Sequence, residues 1–88
     1  MIRARVTRSA WFSGPRMYME VEIDGRKIQL KVPFKYNRVT CKVFGLAPVQ
    51  SMSPGDLVDL SFDTRRYNDK EYKVLTHICL VSQSKDSL

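Results

Sequence analysis

Between Met17 and Pro33 the chain reads MYMEVEIDGRKIQLKVP, two alternating arms about an Asp-Gly pair, and few folds accommodate such a segment. Met17, Met19, Val21 and Ile23 share one face of the first arm, and Tyr18, Glu20 and Glu22 the other, which is the period of a half-buried strand. Asp24-Gly25 supplies the turn, because a tight type I′ turn needs positive φ at both central residues. The second arm places Ile28, Leu30 and Val32 opposite Lys27, Gln29 and Lys31. A loop of Asp24-Gly25 sets Val21 against Ile28 and Met19 against Leu30; a loop of Gly25-Arg26 sets Ile23 against Ile28 and Val21 against Leu30. Both keep the apolar residues on one face, whereas a one-residue slip would turn one arm inside out. The opposite face carries Tyr18, Glu20, Glu22, Gln29 and Lys31, polar but partly aromatic.

The flanking sequence extends this pattern into an all-β chain. Met1 to Phe12 reads as a strand with Ile2, Ala4 and Val6 inward and Arg3 and Arg5 outward. Ser9 to Arg16 (SAWFSGPR) is expected to form a loop through Ser-Gly-Pro, bringing Trp11 and Phe12 to the surface between Arg8 and Arg16, with one of the two rings turned inward. Phe34 to Arg38 interleaves aromatics and cations, including Tyr36. Val39 to Phe44 resumes alternation as a short strand, and Gly45 to Gly55 reads as a connection with at most one helical turn at Val49 to Met52. Asp56 to Phe62 is the next strand, with Val58, Leu60 and Phe62 inward. Asp63 to Lys70 (DTRRYNDK) is expected to be a polar loop presenting Arg65, Arg66 and Tyr67. Glu71 to Ser82 closes the chain as a long strand. Period 2 sorts it into Tyr72, Val74, Thr76, Ile78 and Leu80 against Leu75, Cys79 and Val81, and apolar residues on both sides suggest a homodimer through this strand.

Eighty-eight residues hold one domain, taken as residues 1–82, with 83–88 as a disordered polar tail. Neither a secretory leader nor an apolar run long enough to span a membrane is present, so the expectation is a cytoplasmic protein without membrane association. The net charge of +6 is uneven: residues 1–44 hold ten Lys or Arg against three acids, and residues 45–88 hold five against six. A basic half built around the hairpin favours a polyanionic partner, nucleic acid before anionic lipid. Cys41 and Cys79 lie in strand-like runs and read as buried thiols, with a disulfide left open. Two isolated cysteines and the single His77 lack zinc-ligand spacing, and no metal or cofactor is expected.

Short strands around a central hairpin, the absence of a long helix, and the stretch Pro54-Gly55-Asp56-Leu57-Val58-Asp59-Leu60 leading into the fourth strand resemble the OB-fold, a five-stranded Greek-key barrel. The exposed Tyr67 and the ending Leu80-Val81 make the look closest to the small single-stranded DNA-binding proteins of filamentous phages. The resemblance implies a ligand face on the second and third strands, flanked by the loops joining strands 1 to 2 and 4 to 5. Here those loops are Ser9 to Arg16 and Asp63 to Lys70, the same two that arginine and aromatic content single out.

The reading that follows is a protein that binds single-stranded DNA or RNA with little sequence preference, using stacking rings over a cationic groove. Arg3, Arg5, Arg16, Lys31, Arg65 and Arg66 are the candidate phosphate contacts, and Trp11, Tyr18, Tyr36 and Tyr67 the candidate stacking surfaces. An enzyme is not expected, since the acids lie at strand ends and turns or pair across the hairpin, and no serine has a ready His partner. The competing expectation is a protein-interaction or structural module, such as a ribosome-associated or virion barrel, supported by strand edges and the two-sided last strand.

Overall fold

The computed structural model describes residues 1–37, 42–45 and 49–83, without the side chains of residues 35–37, 42–45 and 50. Its strands are β1 (Ile2–Ser13), β2 (Arg16–Ile23), β3 (Arg26–Val32), β4 (Phe34–Asn37), β5 (Lys42–Gly45), β6 (Leu57–Tyr67) and β7 (Lys70–Ser82), with one 3-10 turn at Val49–Ser51. Five of them, in the order β1-β2-β3-β7-β6, form a closed barrel, while β4 and β5 make a separate two-stranded sheet. Neighbours pair antiparallel except β3 and β7, which run parallel, so the sheet is mixed and the architecture is consistent with an OB-like fold.

The central hairpin takes the first of the two registers open to it. Val21 lies opposite Ile28 and Met19 opposite Leu30, and Asp24 and Gly25 both have positive φ, at 51° and 78°. Met17, Met19, Val21, Leu30 and Val32 are buried, and Tyr18, Glu20 and Lys31 stand on the outer face. Ala4 and Val6 of β1, Val58 and Leu60 of β6, and Leu75 and Ile78 of β7 complete the wall of the core. Val49 and Met52, from the 3-10 turn and the residue after it, fill the core from the connection between β5 and β6. That connection is fixed by the buried Asp56, whose carboxylate accepts from the Ser53 backbone N–H at 2.9 Å, and by the Val6 N–H donating to the Asp56 carbonyl at 2.9 Å.

Four register shifts interrupt strict alternation, two in the β1–β2 pair and two in the β6–β7 pair. Between Val6 and Trp11, β1 holds two extra residues relative to β2, one before Arg8 and one after it. A regular strand would send Arg8, two residues after Val6, into the core; the first bulge turns it outward. On β7, Ser61 faces His77 while Phe62 faces Leu75, so Thr76 is extra and both Leu75 and Ile78 point inward. The separation of Leu75 and Ile78 onto opposite sides of this strand is therefore corrected. A further shift lies between Leu57 and Val58, and Leu80 and Val81 end up 40% and 43% exposed. Ile2, expected inside, is 40% exposed at the start of β1.

The two expected loops are strands. β1 and β2 continue to a two-residue turn at Gly14-Pro15, Gly14 having φ 61° at the first central position. β6 and β7 continue to a turn at Asn68-Asp69, both with positive φ, at 50° and 61°. The β6–β7 pair runs on past the Lys31–Val74 pairing as a two-stranded ribbon, and the β1–β2 pair passes the last β2–β3 pairing, Met17 with Val32, by a single register pair, Ser13 with Arg16. The other reassignments are smaller. Cys79 is exposed rather than buried, because it pairs with Asp59 on the outer face. The backbone at Tyr36 belongs to β4 and that at Phe44 to β5; Arg38, Val39 to Cys41 and the tail beyond Gln83 lie outside the described residues.

Truncation separates the bulged register from a regular one. Leu75→Ala, at a site 1% exposed, is expected to cost about 2–5 kcal/mol in urea unfolding, and Leu80→Ala at most about 0.5 kcal/mol.

Candidate functional site

Where the hairpin meets the β6–β7 ribbon, the fold leaves two adjoining clefts. The larger, about 750 Å³, is lined by Pro15, Arg16, Met17, Lys31, Val32, Pro33 and Phe34 on one side and by Arg65, Tyr67, Asn68, Lys70, Tyr72 and Val74 on the other. The smaller, about 410 Å³, lies between Tyr18, Lys27, Ile28, Gln29 and Lys31 and the β7 residues Glu71, Tyr72 and Lys73. Lys31 and Tyr72 line both, so they form the saddle between the two.

Register explains why these side chains meet. On the hairpin, Arg16, Tyr18 and Glu20 alternate outward along β2, and Tyr18 lies directly opposite Lys31 on β3. Lys31 is in turn the parallel partner of Val74 on β7. On the ribbon, Arg65 opposes Tyr72 and Tyr67 opposes Lys70, two rows on one face, while Arg66 opposes Glu71 on the other. Arg16, Lys31, Arg65 and Lys70 thus bring four cations to the larger cleft, and among the described residues no acid lines it. Tyr67, 69% exposed, stands beside them as an accessible ring. Toward the Asp24-Gly25 turn the outer face is closer to neutral, because Glu22 opposes Lys27 and Glu20 accepts a 2.8 Å hydrogen bond from the Thr7 hydroxyl.

A second aromatic group adjoins the smaller cleft. Trp11 opposes Tyr18 across β1 and β2, with ring centroids 5.9 Å apart, and the Arg8 guanidinium lies 3.8 Å from the Trp11 ring centroid. The bulges put Arg8 and Trp11 on one face, and the cation–π contact follows from them. Phe12, the ring beside Trp11, is 50% exposed and meets Phe34 edge-on at 5.4 Å.

Of the residues singled out from the sequence, Arg16, Tyr18, Lys31, Arg65 and Tyr67 line these clefts, and Trp11 is joined to them through Tyr18. Arg3, Arg5 and Arg66 line neither. Arg3 is held by Asp59 at 2.6 Å, a hydrogen bond and opposite charge that raise its pKa above the ordinary guanidinium value, and Arg5 donates to the Gly55 carbonyl at 2.8 Å. The side chain of Tyr36 lies outside the described residues. Lys70, Tyr72 and Lys73 were not among the candidates. Their signal was the Asn-Asp turn flanked by alternating cations and rings, which reads as a hairpin once Asp63 to Lys70 is no longer taken as a loop.

These features define a closed five-stranded mixed β-barrel with a cationic, tyrosine-bearing double cleft on its hairpin face. Comparison with protein-family models, with curated proteins and with solved structures finds no match.

The Arg8–Trp11 contact is measurable in isolation. A double-mutant cycle of Arg8→Ala and Trp11→Leu is expected to give a coupling of about 0.5–1 kcal/mol in unfolding free energy, the range for an exposed cation–π pair.

Proposed function

We propose that this barrel binds single-stranded nucleic acid, DNA before RNA, along the hairpin face between its two ribbons. The observation that carries the reading is the larger cleft: Arg16, Lys31, Arg65 and Lys70 converge from both ribbons and from β3 with no acid among them, next to Tyr67 and Tyr72. Phosphates need cations spaced along a path, and bases need accessible ring faces, and this cleft supplies both. The pattern-level likeness to the phage single-stranded DNA-binding proteins points the same way, with the refinement that the cleft is made by ribbons rather than loops. Trp11 contributes less as a free stacking surface than as a support for Tyr18, since Arg8 covers its ring.

Titration of oligothymidine at about 50 mM salt, followed by Trp11 fluorescence and by anisotropy of a labelled strand, is the direct test. Tyr67→Ala or Tyr72→Ala is expected to weaken binding by about 1–3 kcal/mol, and Lys31→Ala or Arg65→Ala to shallow the salt slope by about 0.7 each. Arg3→Ala, at an arginine already paired with Asp59, leaves both unchanged. Absence of binding to oligothymidine and to single-stranded RNA alike would end this reading.

One observation favours a second, interaction-based role. Leu80 and Val81 are exposed near the end of β7, and among the described residues this strand pairs with β3 at Val74 alone. An open strand edge with apolar side chains suits pairing with a second copy of the chain. Sedimentation at micromolar concentration is expected to show a dimer that Val81→Lys dissociates; a monomer throughout refutes it.

A further inference from the structure

Strand register puts the four cations of the larger cleft on one face. Arg16 keeps the parity of Tyr18, Tyr18 opposes Lys31, and Lys31 pairs with Val74. Tyr72 and Lys70 keep the parity of Val74 and oppose Arg65 and Tyr67, so Arg16, Lys31, Arg65 and Lys70 share the outer side of the sheet with both tyrosines. Among the described residues none of these four side chains has a hydrogen-bond or ion-pair partner, whereas Arg3 is paired with Asp59. Together they surround a space of about 750 Å³, enough for one small-molecule-sized group such as a nucleotide. A nucleotide inside a strand brings a single phosphodiester charge, which leaves most of that positive charge unanswered. The larger cleft alone also has an apolar side, formed by Pro15, Pro33 and Phe34, with Phe12 edge-on against Phe34 at 5.4 Å.

We propose that the larger cleft receives the end of a strand and grips its terminal phosphomonoester. The inference rests on the nucleic-acid reading above and sets where along a strand the barrel sits. A phosphomonoester carries about −1.5 to −2 charge at neutral pH and three acceptor oxygens, more of both than a phosphodiester. Arg16 and Arg65 offer planar forks to those oxygens, and Lys31 and Lys70 act as point charges. A terminal base lacks a neighbour on one side, and Pro15, Pro33 and Phe34 supply apolar surface to cover the face so exposed. From its end the strand leads over Lys31 and Tyr72 into the smaller cleft, where Tyr18 offers the next ring. A phosphate on the 5′ or the 3′ end brings the same chemistry, and experiment separates the two.

The test titrates short, internally labelled oligothymidines at about 50 mM salt, followed by anisotropy. One strand carries a 5′-phosphate, one a 3′-phosphate and one hydroxyls at both ends; a further hydroxyl-ended strand, longer by one nucleotide, matches the phosphorylated strands in number of phosphates. A phosphorylated strand is expected to bind roughly tenfold tighter than the longer hydroxyl-ended one, the gain of a further charge-assisted hydrogen bond. The end that confers the gain gives the direction of the strand in the cleft. Arg65→Lys keeps the charge and loses the fork, so it narrows the advantage without changing the salt slope. Lys70→Ala narrows it as well, while Arg66→Ala, on the other face of the ribbon, leaves it in place. Equal binding of the phosphorylated and the longer hydroxyl-ended strands, or an advantage that survives both Arg65→Lys and Lys70→Ala, overturns the end site while leaving single-strand binding intact. Failure of every strand to bind overturns both.

Discussion

Closure of this barrel depends on the parallel seam between β3 and β7, whose single register pair is Lys31 with Val74. The other four junctions of the wall are antiparallel, and three of them close through two-residue turns that form locally. The seam joins elements separated by β4, β5, the 3-10 turn and β6, and it sets β7 directly alongside β3 of the central hairpin. The clefts are its by-product. Lys31 is both the seam residue and the one cation common to both clefts, so the contact that completes the fold also sets the centre of the candidate site.

A closed barrel requires strands that coil, and the bulges in β1 meet that requirement by leaving two of its residues without partners on β2. Their chemical result is as marked as their geometric one. With Arg8 turned away from the core it stacks on Trp11, and Trp11 leans on Tyr18, so a cation and two rings span two strands on the outer face. The bulge at Thr76 acts in the opposite direction, drawing both Leu75 and Ile78 into the interior and leaving the β7 residues beyond them to form the outer wall.

The hairpin from Met17 to Val32 was legible in the sequence because one of its faces is buried, and burial on one face writes period 2 into the residue types. The same holds for Ala4, Val6, Val58 and Leu60. The ribbons were not legible for the converse reason: Asp63 to Tyr67 and Lys70 to Lys73 are wetted on both faces, so nothing in their hydropathy distinguishes strand from loop. Bulges were illegible by construction, since a periodic reading assumes that none occur, and this is why Leu75 and Ile78 were put on opposite sides of the last strand and Arg8 was not paired with Trp11. Half of the cleft could be read from the sequence, the part on the hairpin and on Arg65 and Tyr67. Lys70, Tyr72 and Lys73 required the cross-strand register about Asn68-Asp69.

The pairing of Ile2 with Leu60 and of Lys31 with Val74 also bears on the order in which the molecule assembles. Hairpins closed by Asp24-Gly25 and Asn68-Asp69 need only short-range loop closure, which takes microseconds, whereas the β1–β6 and β3–β7 junctions join segments distant along the chain and carry the larger entropic barrier. The two halves of the cleft therefore belong to two separately nucleating hairpins, and neither contains the site. It comes into being at the last step, when the barrel shuts, so a nascent or partly unfolded chain presents its lysines, arginines and tyrosines without the arrangement that would let them act together.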